Sequence, residues 1–222
     1  MVARAPKSLR SFYGASDRLV HHEPTRTAHP ETVRTLIGSP TQERPQEVYT
    51  PPEIRDLAQA VFGGPIRLDP CAGPDSILQP ERAYYGQQVP TGKFKKDGSP
   101  VYKWEGPGLT APWCDSTYCN SPYDELEPWM EKANREATKN FEILQLVPVR
   151  CHRKWWRRIA LKGADAIGWL DPLQFLGFAQ TFPAPLALLY WGITPNAFCA
   201  LFENKGLGDA ELRTKPFPHP HG

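Results

Sequence analysis

The sequence predicts an α/β domain built on a mostly parallel, twisted sheet that ends in an antiparallel hairpin, with helices on both faces. Three observations carry this expectation. Strand-like and helix-like segments alternate from residue 49 to residue 192, the pattern of parallel strands joined by crossover helices. Residues 141–149 (FEILQLVPV) form an apolar run of the kind a strand covered on both faces requires. Two strand-like segments run into loops of small and turn-forming residues, 70–74 (PCAGP) and 120–123 (NSPY).

Composition sets the frame. The chain has 222 residues, 26 Lys+Arg against 24 Asp+Glu, and a formal charge of +2. That length suits one domain with ragged ends, and 40% hydrophobic residues is ordinary for a globular chain. The 25 prolines predict many loops and few long helices. No apolar stretch approaches the ~20 residues of a membrane span. The longest, 182–193, is interrupted by Pro183 and Pro185, and residues 1–14 lack the apolar core of a secretory signal. Five scattered cysteines (Cys71, Cys114, Cys119, Cys151, Cys199) do not form a disulfide framework and fit a reducing, cytoplasmic compartment. The small net charge excludes a uniformly basic coat but allows a local basic face.

The expected organisation is a flexible arm over 1–45, one domain over 46–203 and a loose tail over 204–222. In the arm, Arg4, Lys7, Arg10 and Arg18 read as a solvated segment or as phosphate contacts. In the tail, His219 and His221 read as part of a loose end rather than as metal ligands. Within the domain, Thr50-Pro51-Pro52-Glu53 is a helix start, with Thr50 as cap, Pro51 in the first helical position and Glu53 closing a capping box. Ile54, Leu57, Ala58, Val61 and Phe62 mark one helical face, and Gly63-Gly64 ends it. Residues 65–69 read as a strand. Residues 93–96 and 101–104 flank Asp97-Gly98 as a hairpin. A strand ends near Tyr118 or Cys119. In the next helix Tyr123, Leu126, Trp129, Met130, Ala133 and Ala137 share a face, with Glu127, Glu131, Lys132 and Arg135 off it. A helix over 152–162 follows the apolar strand, then strands at 166–170, 186–191 and 198–202, the last two as an antiparallel pair.

Ligands of such sheets bind beyond the carboxyl ends of the strands, where the loops at Asp69 and Asn120 fall. Here the chain resembles the Dam-type DNA adenine-N6 methyltransferases often carried by phages. The resemblance covers most of residues 49–192. It rests on Tyr49-Thr50-Pro51-Pro52-Glu53, Leu68-Asp69-Pro70-Cys71-Ala72, Gly108-Leu109 with Trp113, and Asn120-Ser121-Pro122-Tyr123 with Trp129 and Lys132-Ala133. Pro148, Trp155-Trp156 and residues 182–190 complete it.

The resemblance implies a Rossmann-like class I methyltransferase that uses S-adenosylmethionine and flips its target adenine. It implies cofactor contacts from Tyr49, Thr50, Pro51, Asp69, Pro70, Cys71 and Ala72, with Glu105 as a candidate acid on the cofactor or base side. It implies a catalytic loop of Asn120, Ser121, Pro122 and Tyr123. The Asn120 side-chain oxygen and the Ser121 carbonyl would take the two amine protons, and Tyr123 would stack on the base. The chain departs from the family in two places. The loop usually reads Asn-Pro-Pro-Tyr or its Phe version, whereas Ser121 stands here where Pro would hold the loop more rigidly. An Arg expected shortly before the position of Phe175 is replaced by Asp171-Pro172.

Arg150, Arg153, Lys154, Arg157, Arg158 and Lys162 fall within thirteen residues with no acid among them, interleaved with Trp155 and Trp156. That density suits phosphates, or an ordinary solvated helix. Lys95 and Lys96 of the hairpin are second candidates. Double-stranded DNA is therefore the expected partner, the chain is expected to act as a monomer, and no metal or membrane is expected. The alternatives are transfer to RNA or to a protein amide, which the same loop could serve, or a weakened DNA- or cofactor-binding module, which Ser121 keeps open.

Overall fold

The computed structural model describes residues 49–73 and 76–213. The elements in chain order are helix α1 (Pro52–Phe62), strands β1 (Leu68–Ala72), β2 (Arg82–Tyr85), β3 (Gln87–Phe94), β4 (Pro100–Glu105) and β5 (Thr117–Asn120), helix α2 (Leu126–Ala137), strand β6 (Ile143–Pro148), helix α3 (Lys154–Gly163), strands β7 (Ala166–Leu170) and β8 (Leu186–Trp191), helix α4 (Pro195–Asn204) and strand β9 (Gly208–Leu212). A single 3-10 turn, Pro107–Leu109, precedes β5.

Seven strands form one sheet in the order β2-β1-β5-β6-β8-β7-β9, and β3 pairs with β4 in a separate hairpin. From β2 through β6 every pairing is parallel, and β8 and β9 run against the rest. The sheet is thus mostly parallel by direction, an architecture compatible with a Rossmann-like fold. Helices cover both faces. Ile54, Leu57, Phe198 and Phe202 from α1 and α4 pack with Tyr118, Leu144, Leu188 and Tyr190. On the other face Trp129, Met130, Trp156 and Ile159 from α2 and α3 pack with Cys119, Ile143, Val147 and Leu189. The alternation of β5 and β6 side chains between these two cores follows from the two-residue strand period.

Several expectations are corrected. Residues 198–202 are helical, within α4, so they do not pair with β8, which instead lies between β6 and β7. The segment begins with Pro195 in its first turn, which suits a helix start. The expected tail contains β9, paired antiparallel with β7, so the ordered domain extends past residue 203. The first of the parallel strands lies at Leu68–Ala72 rather than 65–69, which puts Asp69, Pro70, Cys71 and Ala72 inside it. Thr50 does not cap α1. Pro51 holds the N-cap position, while Gly63 ends the helix in the left-handed conformation, with φ 64°. Tyr123 precedes α2, which starts at Leu126. Lys132 is buried, ion-paired at 2.6 Å with Glu136 one turn on and lying over the Trp113 ring. The arm, and His219 and His221, lie outside the described residues.

Candidate functional site

β1 has β2 on one side and β5 on the other, so the chain reverses its direction of travel across the sheet between β1 and β5. Such a reversal leaves a crevice outside the carboxyl ends of the two strands. The β1–β5 ladder is registered at Leu68 and Thr117, near the amino ends, with no further registered pair between these two strands. Pro70 adds to the opening. It has no N–H to give, and the β1–β2 register slips by one residue between Asp69 and Ala72, a bulge. Asp69 and Asn120 therefore lie on adjacent strands, but Asp69 stands at the amino end of β1, beside Tyr118 by register, and not at the strand tip that the sequence suggested, whereas Asn120 closes β5.

Asp69 is 3% exposed, and its carboxylate accepts a bond from the Cys71 N–H at 2.9 Å. Burial pushes its carboxyl well above the usual carboxylate range, to about 7, with the Cys71 bond a smaller opposing effect. The Tyr49 ring lies against Gly73, where a Cβ would fall 2.8 Å from the ring edge. Gly108 approaches Pro70 so closely that a Cβ would lie 1.9 Å from the Pro70 carbonyl oxygen. Trp113 donates its indole N–H to the Gly108 carbonyl at 2.8 Å. Four separated sequence blocks thus converge around β1. Thr50, 4% exposed, hydrogen-bonds the Tyr118 hydroxyl at 3.1 Å and so ties the entrance of α1 to β5. The two glycines serve this convergence, since the space a Cβ would take is filled by the Tyr49 ring at Gly73 and by the Pro70 carbonyl and Trp129 ring at Gly108.

Asn120 closes β5, and Ser121 follows, 2% exposed. The Gln145 amide on the neighbouring β6 donates to the Ser121 hydroxyl at 3.1 Å. The Tyr123 ring packs edge-to-face on Phe182, with centroids 5.4 Å apart, and burial drives its hydroxyl pKa far up. That hydroxyl is buried without a hydrogen-bond partner among the described residues. Beside it opens a cleft of about 420 Å³, lined by residues 123–128 and by Arg150, Arg153 and Trp155.

The basic residues divide. Arg153, Lys154 and Arg157 are exposed, Arg150 is half-buried, and none of the four has a carboxylate ion pair among the described residues. Arg158 turns back onto Glu127 and Glu131 of α2. Lys95 pairs with Asp124 at 2.7 Å, while Lys96 is exposed. Glu105 is not brought to Asp69. It is exposed at the base of the hairpin and pairs with Lys103 at 2.9 Å.

Residues that sequence reasoning missed include Tyr118, Gln145, Asp124 and Glu125. The last two strap the hairpin to the Asn120 loop, because Tyr102 and Trp104 of β4 donate backbone N–H groups to their carboxylates. The two consecutive acids immediately after Tyr123 were the available signal. Comparisons of the chain with family models, with curated proteins and with solved structures give no match.

Proposed function

We propose that this chain is an S-adenosylmethionine-dependent DNA adenine-N6 methyltransferase of Rossmann-like class I architecture. The observation that supports the reading is the placement of Asp69 and Asn120 on the two adjacent strands at the switch point of the sheet, with a cleft beside Tyr123 that Arg150 and Arg153 line together with Asp124, Glu125 and Glu127. S-adenosylmethionine, when bound, supplies a methyl group on a positively charged sulfonium.

The chain's own residues do the rest. Asp69 offers the buried negative charge that a cationic ligand would compensate. Tyr49, Thr50, Pro51 and residues 70–73 border the same place. The amine of adenine is a weak nucleophile because its lone pair is delocalised into the ring. The Asn120 side-chain oxygen and the Ser121 carbonyl accept hydrogen bonds from its two protons and draw the nitrogen toward a pyramid. This is catalysis by positioning and oriented dipoles. The target base must leave the helix to reach Asn120, so the chain flips it, with the Tyr123 ring beside it. Arg150, Arg153, Lys154 and Arg157 hold phosphates, which sets position rather than sequence choice.

Transfer of labelled methyl from the cofactor to duplex DNA tests the reading. Label is expected on duplex DNA. Label confined to RNA or to protein would move the activity to another amine acceptor.

A further inference from the structure

We infer that Gln145 is a positioning residue for the Asn120–Tyr123 turn, supplying through Ser121 the rigidity that a proline ring would otherwise give. The inference rests on the proposed methyl transfer for its catalytic meaning, and on geometry alone for its structural one. Alternation along β5 points Tyr118 toward α1 and Cys119 toward α2 and α3, and the turn begins at the end of that strand. Asn120 and Ser121 are consecutive, so one side-chain anchor at Ser121 holds the Cα shared by the Asn120–Ser121 and Ser121–Pro122 peptides. Ser121 supplies that anchor. Its hydroxyl accepts the Gln145 amide N–H at 3.1 Å, and the two residues are 2% and 0% exposed.

The partner comes from a rigid place. Gln145 lies in the middle of β6, paired with Cys119 on one side and Leu189 on the other. It is the polar member of a strand whose other residues are buried and apolar. A buried amide in such a strand costs stability unless it is used, and its oxygen has no hydrogen-bond partner among the described residues. An apolar side chain would pack there at lower cost, so the amide's one bond, to Ser121, is what the position gains. In the proposed reaction the Ser121 carbonyl is one of the two acceptors for the adenine amine. Anchoring the Ser121 side chain holds in place the Cα from which that carbonyl leaves.

The experiment compares Gln145→Leu, Ser121→Ala and the double variant with the unaltered chain. Each single change is expected to lower kcat about tenfold, the value of one buried hydrogen bond, with cofactor affinity unchanged. Because both changes delete the same bond, the double variant is expected to be no slower than the slower single variant. Amide hydrogen exchange at Asn120, Ser121 and Tyr123 is expected to accelerate in all three variants. A kcat within twofold in Gln145→Leu, effects that multiply in the double variant, or unchanged exchange in the turn would each overturn the inference. If the unaltered chain transfers no methyl to DNA, the proposed function fails, while the exchange comparison still decides the role of Gln145.

Discussion

Asp69 and Asn120 come from adjacent strands, and the proposed reaction gives them different work. Asp69 holds its proton more tightly in the folded chain than in the unfolded one, because burial raises its carboxyl to about 7. Folding stability from this group is therefore full below about pH 4 and lost as pH rises toward 7, a penalty of up to ~4 kcal/mol at higher pH. Urea unfolding at pH 5 and pH 8 should show this fall, and Asp69→Asn should remove most of it while weakening cofactor binding. A fall of equal size in the variant would show that Asp69 is not its source. Asn120→Ala is expected to lower transfer by at least ~100-fold, with cofactor binding retained in calorimetry. The position of Asn120 at the end of a strand was legible from the turn-forming residues that follow it, whereas that of Asp69 was not, because β1 runs on through Pro70 to Ala72. Gln145 was not legible, because it lies inside an apolar run and its partner follows another strand.

At the scale of elements, the strands at 166–170 and 186–191 and the α1 stop at Gly63 follow directly from local pattern. The helix α4 did not, because Phe198, Cys199, Ala200, Leu201 and Phe202 are a short apolar run that periodicity assigns equally to strand or helix. The packing of Phe198 flat on Tyr190, with ring centroids 5.1 Å apart, is a tertiary contact that no local pattern displays. The convergence of blocks around β1 is equally non-local, and it can be tested by one atom group. Gly108→Ala places a methyl against the Pro70 carbonyl, so the turn 107–109 or β1 must shift. A loss of roughly 1–3 kcal/mol in chemical denaturation is expected, with cofactor affinity falling too. An unperturbed variant would mean that the close approach is not a constraint. The hairpin depends in the same way on Asp124 and Glu125, whose carboxylates cap the outer N–H groups of β4.

For the whole molecule, a net charge of +2 is the balance of 26 Lys+Arg and 24 Asp+Glu, and the basic run 150–162 is one exposed concentration of positive charge. Arg150 and Arg153 line the cleft beside Tyr123 together with Asp124, Glu125 and Glu127, and Lys154 and Arg157 continue along α3. Arg158 belongs to the same run in sequence but is turned onto Glu127 and Glu131 in space. Replacing Arg150, Arg153, Lys154 and Arg157 by Ala is expected to weaken duplex binding and to reduce the slope of log K against log salt by about 0.9 for each phosphate no longer neutralised. Arg158→Ala is expected to change that slope little. Equal effects from Arg158→Ala would show that its pairing with α2 does not govern its availability. The sequence displayed the density of charge but not its division, because exposure and pairing are set by how α3 packs on α2.

Nucleoside mass spectrometry of duplex DNA incubated with the purified chain and isotopically labelled S-adenosylmethionine tests the central claim most directly. Labelled N6-methyladenine is expected with the unaltered chain and is expected to be absent with Asn120→Ala. No labelled adenine from a folded, cofactor-binding chain, or the same yield from Asn120→Ala, would contradict the account.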